Sequence, residues 1–217
     1  MKPKICLDCD GVILSHHKTI EHFVKKELNL YTEFDASKLD ENFNITYKCF
    51  FEISEHIPVS LRKTIKKFNA YIHSLYTRSD FWANHIPIVS KEFFKRLNDM
   101  YDIYIVTGIK EKFKECRIKN LYNIYNIDFT NKIFCTGGMF NDKSSIITKI
   151  NPILYADDTI LHLIKLLDNK ISNISLYYID LFNKYNLYKN KYNVNNIIKL
   201  NNLEELNIEY NNDLNFM

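Results

Sequence analysis

Two pairs of carboxylates follow apolar runs of this sequence. The stretch KICLDCDGVIL, residues 4–14, carries Asp8 and Asp10, and the stretch ILYADDT, residues 153–159, carries Asp157 and Asp158. Burying a charge without a partner costs free energy, so each run must end at solvent or beside a cation. Carboxylates spaced in this way can hold a divalent metal, act as a nucleophile, or exchange a proton with a substrate.

The order of strands and helices predicts where these carboxylates lie. Apolar runs rich in Ile, Val and Tyr predict strands at KICLDCD, DIYIVTG, KIFCTGG, ILYADDT, ISLYYI and NIIKL. Amphipathic runs predict helices at VSKEFFKRLNDMY, KFKECRIKNLYNIY, DKSSIITKI and TILHLIKLLDNK, with NLEELN as a last helix. Strands that alternate with helices predict an α/β fold, a Rossmann-like parallel sheet with helices on both faces. Ligands of such sheets bind beyond the carboxyl ends of the strands, so the carboxylates and Thr107 should converge there.

The region between the first two predicted strands of the sheet has a different character. KTIEHFVKKELNL and SLRKTIKKFNAYIHSLY both place apolar residues at helical spacing, and strand signals are few over residues 15–85. The sequence therefore predicts a core domain of residues 1–14 and 86–217 and an inserted helical domain of residues 15–85.

Composition limits the classes of partner. The chain has 217 residues, 46% hydrophobic and 25% charged, with a net charge of +3, which argues against a nucleic-acid partner. No stretch has the length of uncharged apolar residues that a membrane span needs. The five cysteines are an odd number and widely spaced, which predicts free thiols in a cytoplasmic protein. The expected partner is a small molecule.

Four carboxylates at one edge of a sheet cannot all be ionised without a nearby cation. We therefore expect Mg²⁺, which prefers oxygen ligands, to be held by Asp8, Asp10, Asp157 and Asp158. Each motif has a simpler interpretation when it stands alone, since Asp-Gly suits a tight turn and Asp-Asp-Thr suits a helix start. The ordered set is what indicates catalysis.

The motifs DCDGV, IVTG, DK and ADDT stand in the order of the four motifs of the haloacid dehalogenase-like hydrolases. The sequence resembles this family over residues 4–14 and 86 to about 167, and the family often carries a helical cap where residues 15–85 lie. The resemblance implies a Rossmann-like core and assigns Asp8 as the nucleophile that forms an aspartyl-phosphate. It implies that Asp10 is the general acid, whose main-chain carbonyl joins the metal site, and that Thr107 and Gly108 hold a phosphoryl oxygen.

The resemblance also implies a lysine and a metal ligand from the last two motifs. Lys143 matches the third-motif lysine because it follows Asn-Asp and opens a helix, with Lys149 as the competing residue. Asp157 matches the acidic metal ligand, and Asp158 is its alternate partner. In this family the dehalogenases lack an acid two positions after the nucleophile, because a halide needs no proton, so Asp10 favours a phosphatase.

The substrate is the least determined feature. In the stretch RSDFW, Arg78 and Trp82 could hold an anion and stack on a base, or could form a packed corner. The layout is loosely similar to the deoxyribonucleotidase-like branch of the family, which suggests a 5′-nucleotide monophosphate, with a sugar phosphate or a polynucleotide end as alternative substrates. Two alternatives remain open, namely a phosphotransferase or phosphomutase, and a catalytically silent scaffold whose tail, NNLEELNIEYNNDLNFM, either contacts a partner or is disordered.

Overall fold

The computed structural model of the chain describes residues 1–38, 46–50, 59–138, 141–171 and 173–207. The chain divides into two compact units, Met1–Leu14 with Pro87–Met217, and Ser15–Ile86. The last part of the acidic tail, residues 208–217, lies outside the described residues, and so does the prediction made for it.

The strands of the described chain are β1 (Lys4–Leu7), β2 (Leu14–Ser15), β3 (Ile86–Pro87), β4 (Asp102–Thr107), β5 (Ile133–Cys135), β6 (Leu154–Asp157), β7 (Ser175–Ile179) and β8 (Ile197–Leu200). In the first unit they form a sheet in the order β5-β4-β1-β6-β7-β8, and every neighbouring pair is parallel. The short strands β2 and β3 pair where the chain passes between the units.

The helices are α1 (His16–Leu28), α2 (Val59–Leu75) and α3 (Ser79–Ala83) in the second unit, and α4 (Lys91–Met100), α5 (Lys114–Tyr125), α6 (Ser144–Ile150), α7 (Ile160–Asp168) and α8 (Tyr185–Lys189) in the first. Helices of the first unit cover both faces of the sheet, and alternate residues of a strand point to opposite faces. Ile5 and Leu7 of β1 join the core formed with α4 and α5, whereas Cys6 joins the core formed with α6 and α7. The predicted α/β architecture is confirmed.

The central strand explains why the polar residues gather at one edge. β1 lies between β4 and β6, with Leu7 paired to Ile105 on one side and Ala156 on the other. The strands run in one direction, so the residues that follow these pairs all emerge at the carboxyl edge of the sheet. Parallel strands covered on both faces read as continuous apolar runs, and their polar ends are therefore conspicuous in the sequence.

One local feature differs from the expectations. The stretch NLEELN contains only a 3-10 turn, Leu203–Glu205, in place of a helix. The Asn202 side chain accepts a hydrogen bond from the Glu204 main-chain nitrogen at 2.8 Å, which caps this single turn. In the stretch RSDFW, for which no secondary structure was predicted, Arg78 precedes the short helix α3 and Ser79 begins it.

The second unit is built around amphipathic helices. The Ser15 hydroxyl caps the start of α1 by accepting from the Lys18 nitrogen, and Asn29, with φ of 53°, ends the helix in the left-handed region. Buried apolar side chains of α1 are Ile20, Phe23 and Val24, and those of α2 include Phe68 and Ile72. Within the part of the chain that the structure describes, no helix combines the length and apolar character needed to cross a bilayer.

Candidate active site

Asp8 stands directly after β1 with its backbone still in the sheet. Its main-chain nitrogen donates to the Ala156 carbonyl oxygen at 2.8 Å, and its Oδ1 accepts from the Cys9 nitrogen at 2.7 Å. The chain then turns at Gly11, whose φ of +82° suits a residue without a Cβ atom. Asp8 is therefore buried, with 6% of its surface exposed, and its orientation is set by main-chain contacts.

Lys143 joins the first and the last carboxylate motif. Its Nζ lies 2.9 Å from Asp8 Oδ2 and 2.9 Å from Asp157 Oδ2, and its side chain is 2% exposed. The competing residue, Lys149, is exposed on α6. Lys143 is the lysine that the fold brings between these two carboxylates.

One ammonium group shared by two buried carboxylates leaves an imbalance of charge. Burial raises the pKa of Asp8 from 3.8 to about 6, with Lys143 opposing the rise and Asp157 adding to it. Burial alone would lower the pKa of Lys143, but Asp157 and Asp8 together raise it above its ordinary value. Lys143 is therefore charged, and Asp8 receives less compensation than a carboxylate with a lysine of its own.

Asp157 is surrounded by hydrogen-bond donors. Its Oδ2 accepts from Lys143 and from the Tyr155 hydroxyl, and lies 2.9 Å from His162 Nδ1, which must carry a proton to face a carboxylate. Its Oδ1 accepts from the Thr159 nitrogen at 2.8 Å, at the start of α7. Burial by itself would raise the pKa of Asp157, but Lys143 and His162 hold it well below its ordinary value. The hydrogen bonds from these residues and the charge of Lys143 thus stabilise the ionised form of Asp157.

Asp158 has a different environment. Its carboxylate lies against Gly11, where a Cβ atom would overlap it. Its Oδ1 accepts a long hydrogen bond, 3.5 Å, from the Thr159 hydroxyl. Burial, Asp8 and Asp157 raise the pKa of Asp158 well above its ordinary value.

These carboxylates have the composition of a site for a hard divalent cation. Oxygen atoms of Asp8, Asp157 and Asp158 lie within 4.8 Å of one another, and the ammonium of Lys143 is the cation that touches Asp8 and Asp157. Oxygen donors in this number are the ligands that Mg²⁺ prefers. The residues therefore fit a bound Mg²⁺, whose charge would offset the burial and the negative charges of Asp8 and Asp157 that raise the pKa of Asp158.

Thr107 is the last residue of β4 and Gly108 follows it, at the same edge of the sheet as the carboxylates. Thr107 is fully buried, and its Oγ1 makes no hydrogen bond with any residue that the structure describes. A buried hydroxyl without a partner costs free energy, which a ligand oxygen would recover. Gly108, half-buried, is the next residue of the turn.

Asp10 faces a buried arginine that the sequence analysis missed. Arg117 Nη2 lies 2.7 Å from Asp10 Oδ1 and 3.0 Å from Asp10 Oδ2. The Arg117 side chain is 0% exposed, and that of Asp10 is 23% exposed. The Asp10 carboxylate is thus held by a contact distinct from those that hold Asp8.

Arg78 and Trp82 belong to the second unit and have contacts inside it. The Arg78 guanidinium bonds Glu27 at 2.6 and 2.7 Å and Asp80 at 2.6 and 3.0 Å. The Trp82 indole donates to the Tyr76 carbonyl oxygen at 3.2 Å and stacks on His85 with 7° between the ring planes. These are the contacts of a packed corner, and the substrate role of Arg78 and Trp82 stays a prediction.

Some of the residues missed by sequence reasoning left a local signal. Tyr155 lies two residues before Asp157 on the same strand, so it had to share its face. His162 lies in the first turn of α7, directly after the Asp-Asp pair. Arg117 left no such signal, because a charged residue in an amphipathic helix is usually on the solvent side.

The similarity of this chain to known proteins lies in its fold. No protein-family model matches the sequence, and no curated protein matches it. The chain is similar to a structure from Bacteroides fragilis described as a haloacid dehalogenase-like hydrolase, with a TM-score of 0.54 and 12% identity over 95% of this chain and 100% of that one.

Two further structures carry the same description. One, from Burkholderia xenovorans, has a TM-score of 0.52 and 9% identity over 94% of this chain and 96% of its own. The other, from Streptococcus pneumoniae, has a TM-score of 0.51 and 13% identity over 91% of this chain and 93% of its own. The chain therefore has the fold of the haloacid dehalogenase-like hydrolases, as the resemblance of its motifs implied.

Proposed function

We propose that this protein is a Mg²⁺-dependent phosphomonoester hydrolase that acts through an aspartyl-phosphate on Asp8. The observation that carries the proposal is the buried contact of Lys143 with Asp8 and Asp157 at 2.9 Å, beside a third carboxylate, Asp158. Phosphoryl transfer needs positioned groups that neutralise charge, and this cluster brings a carboxylate nucleophile and a fixed cation together.

In the first step, a carboxylate oxygen of Asp8 attacks phosphorus, and the bond from phosphorus to the leaving oxygen breaks. Asp10 gives its proton to that oxygen, so the product leaves as an alcohol. Lys143 balances the charge on Asp8 and on the transferring group. The Thr107 hydroxyl and the Gly108 amide donate to a phosphoryl oxygen, which would satisfy the buried Thr107 Oγ1.

In the second step, Asp10 takes a proton from a water molecule, and the water oxygen attacks the phosphorus of the aspartyl-phosphate. The phosphorus–Asp8 bond breaks, inorganic phosphate leaves, and Asp8 and Asp10 return to their starting states. The Asp10 side chain is 23% exposed, which is consistent with a group that meets both the leaving group and water.

The residues that would hold Mg²⁺ are Asp8, Asp158 and the main-chain carbonyl of Asp10. When bound, the ion would supply positive charge that offsets the charge of the transferring phosphoryl group. We favour Asp158 over Asp157 as the acidic ligand of the last motif. Asp157 already accepts from Lys143, Tyr155 and the Thr159 nitrogen, whereas the pKa of Asp158 is raised. Asp157 would then fix Lys143 in place.

The substrate class and the role of the second unit are also proposals. We infer that residues Ser15–Ile86 act as a cap that selects the substrate, because they are inserted directly after Asp8 and Asp10. A 5′-nucleotide monophosphate is the first compound to test, because the order of the motifs and the position of the insertion are loosely similar to those of the deoxyribonucleotidase-like branch.

The decisive experiment measures phosphate release from nucleotides, sugar phosphates and 4-nitrophenyl phosphate, each with Mg²⁺ and with excess chelator. Release that requires both Mg²⁺ and Asp8, lost in Asp8→Asn, is the expected result. Asp128→Asn, an exposed position of the same unit, is the matched control and should keep parental activity. Near-parental turnover by Asp8→Asn would refute the mechanism, and the absence of release from every substrate class would favour a silent scaffold.

A further inference from the structure

The contact of Arg117 with Asp10 points to a role that the four motifs do not include. Arginine is rarely fully buried unless it is paired, yet the Arg117 side chain is 0% exposed. One of its nitrogens, Nη2, bonds both carboxylate oxygens of Asp10, at 2.7 and 3.0 Å. We propose that Arg117 is a positioning residue that fixes the orientation of the Asp10 carboxylate for proton transfer to the leaving group.

The helix that carries Arg117 is anchored in the core. Arg117, Leu121 and Tyr125 are spaced by four residues and lie on one face of α5. Leu121 and Tyr125 are buried in the same core cluster as Leu7 of β1, and the Tyr125 hydroxyl donates to the Val89 carbonyl oxygen at 3.0 Å. The guanidinium is therefore held by a helix that packs against the strand leading to Asp10.

The geometry of the contact explains how it would act. A single nitrogen within hydrogen-bond distance of both oxygens restrains the position of the Asp10 carboxylate relative to α5. A planar guanidinium keeps this orientation better than an ammonium on a flexible stem. Proton transfer depends on such placement, and a misplacement of about 1 Å can cost about 100-fold in rate.

This inference rests on the proposed function, because it assigns Asp10 to protonation of the leaving group. It goes beyond that function because it predicts that a residue of α5, outside the four motifs, controls how strongly kcat/KM depends on the leaving group. The contact between Arg117 and Asp10 lies wholly within the first unit.

The test compares kcat/KM for an alkyl phosphate with kcat/KM for 4-nitrophenyl phosphate, whose leaving group needs little protonation. The variants are Arg117→Met, which removes the charge, and Arg117→Lys, which keeps it. Arg96→Met removes an exposed arginine of α4 and is the matched control. The ratio of the two substrates does not depend on the fraction of folded enzyme, so it remains informative if a variant is unstable.

We expect Arg117→Met to lower the ratio of kcat/KM for the alkyl phosphate to kcat/KM for the aryl phosphate by about 10-fold or more. A misplaced catalytic group can reduce a rate by at least this factor. Arg117→Lys should recover part of the ratio, and Arg96→Met should leave it unchanged. In an Asp10→Asn background, Arg117→Met should change the ratio little, because the proton donor is already absent.

An unchanged ratio in Arg117→Met, or an effect of full size in the Asp10→Asn background, overturns the positioning role while the proposed function stands. If the parent enzyme releases phosphate from neither substrate with Mg²⁺, the proposed function fails, and the role of Arg117 fails with it.

Discussion

The substitution Asp8→Asn should stabilise the metal-free protein while it abolishes turnover. The pKa of Asp8 rises from 3.8 to about 6 in the folded chain, chiefly because the carboxylate is buried. At about 1.4 kcal/mol for each factor of ten in proton affinity, ionised Asp8 lowers the free energy of unfolding by about 3 kcal/mol. This is an upper value, because an amide in the same place also loses hydration, at roughly 1 kcal/mol or more.

The sign of the effect follows from proton linkage. The folded-state pKa of Asp8 lies above the unfolded one, so the folded state binds the proton more tightly. The contribution of Asp8 to stability is fully present below about pH 4 and is lost as the pH rises through about 6. Relative to the parent, Asp8→Asn should therefore gain stability between pH 4 and pH 6 and keep a constant advantage of about 1–3 kcal/mol above that range.

Urea unfolding at pH 4.5, 6 and 8 in excess chelator measures this difference, and a gain of 1 kcal/mol corresponds to about 2–4 °C in Tm for a chain of this size. Asp128→Asn is the control, because hydrogen bonds from Thr130 hold the pKa of Asp128 below its ordinary value, so its removal should not stabilise. Added Mg²⁺ should stabilise the parent more than Asp8→Asn. A stability difference that does not change between pH 4.5 and pH 8 would refute the electrostatic reasoning.

Further predictions concern the metal, the acid and the second unit. Activity should need Mg²⁺ and be inhibited by Ca²⁺, which accepts looser coordination; full activity in chelator contradicts this. Asp158→Asn should lose Mg²⁺-dependent turnover without loss of stability. Asp157→Asn should be less stable by about 3–5 kcal/mol, because Lys143 and His162 hold the pKa of Asp157 well below its ordinary value whereas that of Asp8 is raised; equal unfolding curves for Asp158→Asn and Asp157→Asn would contradict this. Asp10→Asn should slow alkyl phosphates by about 10²–10⁴-fold and aryl phosphates less, with a burst of phenol ahead of phosphate in rapid quench; equal slowing without a burst speaks against the acid role. Trp82→Leu should alter the ranking of natural substrates and spare 4-nitrophenyl phosphate; a uniform loss points to packing alone.

The sequence by itself determined the fold class and the strand ends that carry the polar groups. Apolar runs of strand length, separated by amphipathic segments, have few solutions other than a covered parallel sheet. In such a sheet, strand direction alone brings Asp8, Thr107 and Asp157 to one edge. Local patterns are sufficient to locate these residues, because both faces of the strands are buried and charged side chains can therefore lie only at the strand ends.

Only the tertiary structure decided which polar groups are in contact. Lys143 and Lys149 were both open to the third-motif role in the sequence, but Lys143, directly before α6, is buried beside Asp8, whereas Lys149 of α6 is exposed. Asp157 and Asp158 are neighbours in sequence, yet their side chains point to different surroundings, as successive residues at a strand end do. The Arg117 contact joins positions 107 residues apart, and no periodicity within α5 distinguishes a buried charge from a solvated one. Long-range charge pairing depends on how the helices pack on the sheet, and that information is absent from any local stretch of the chain.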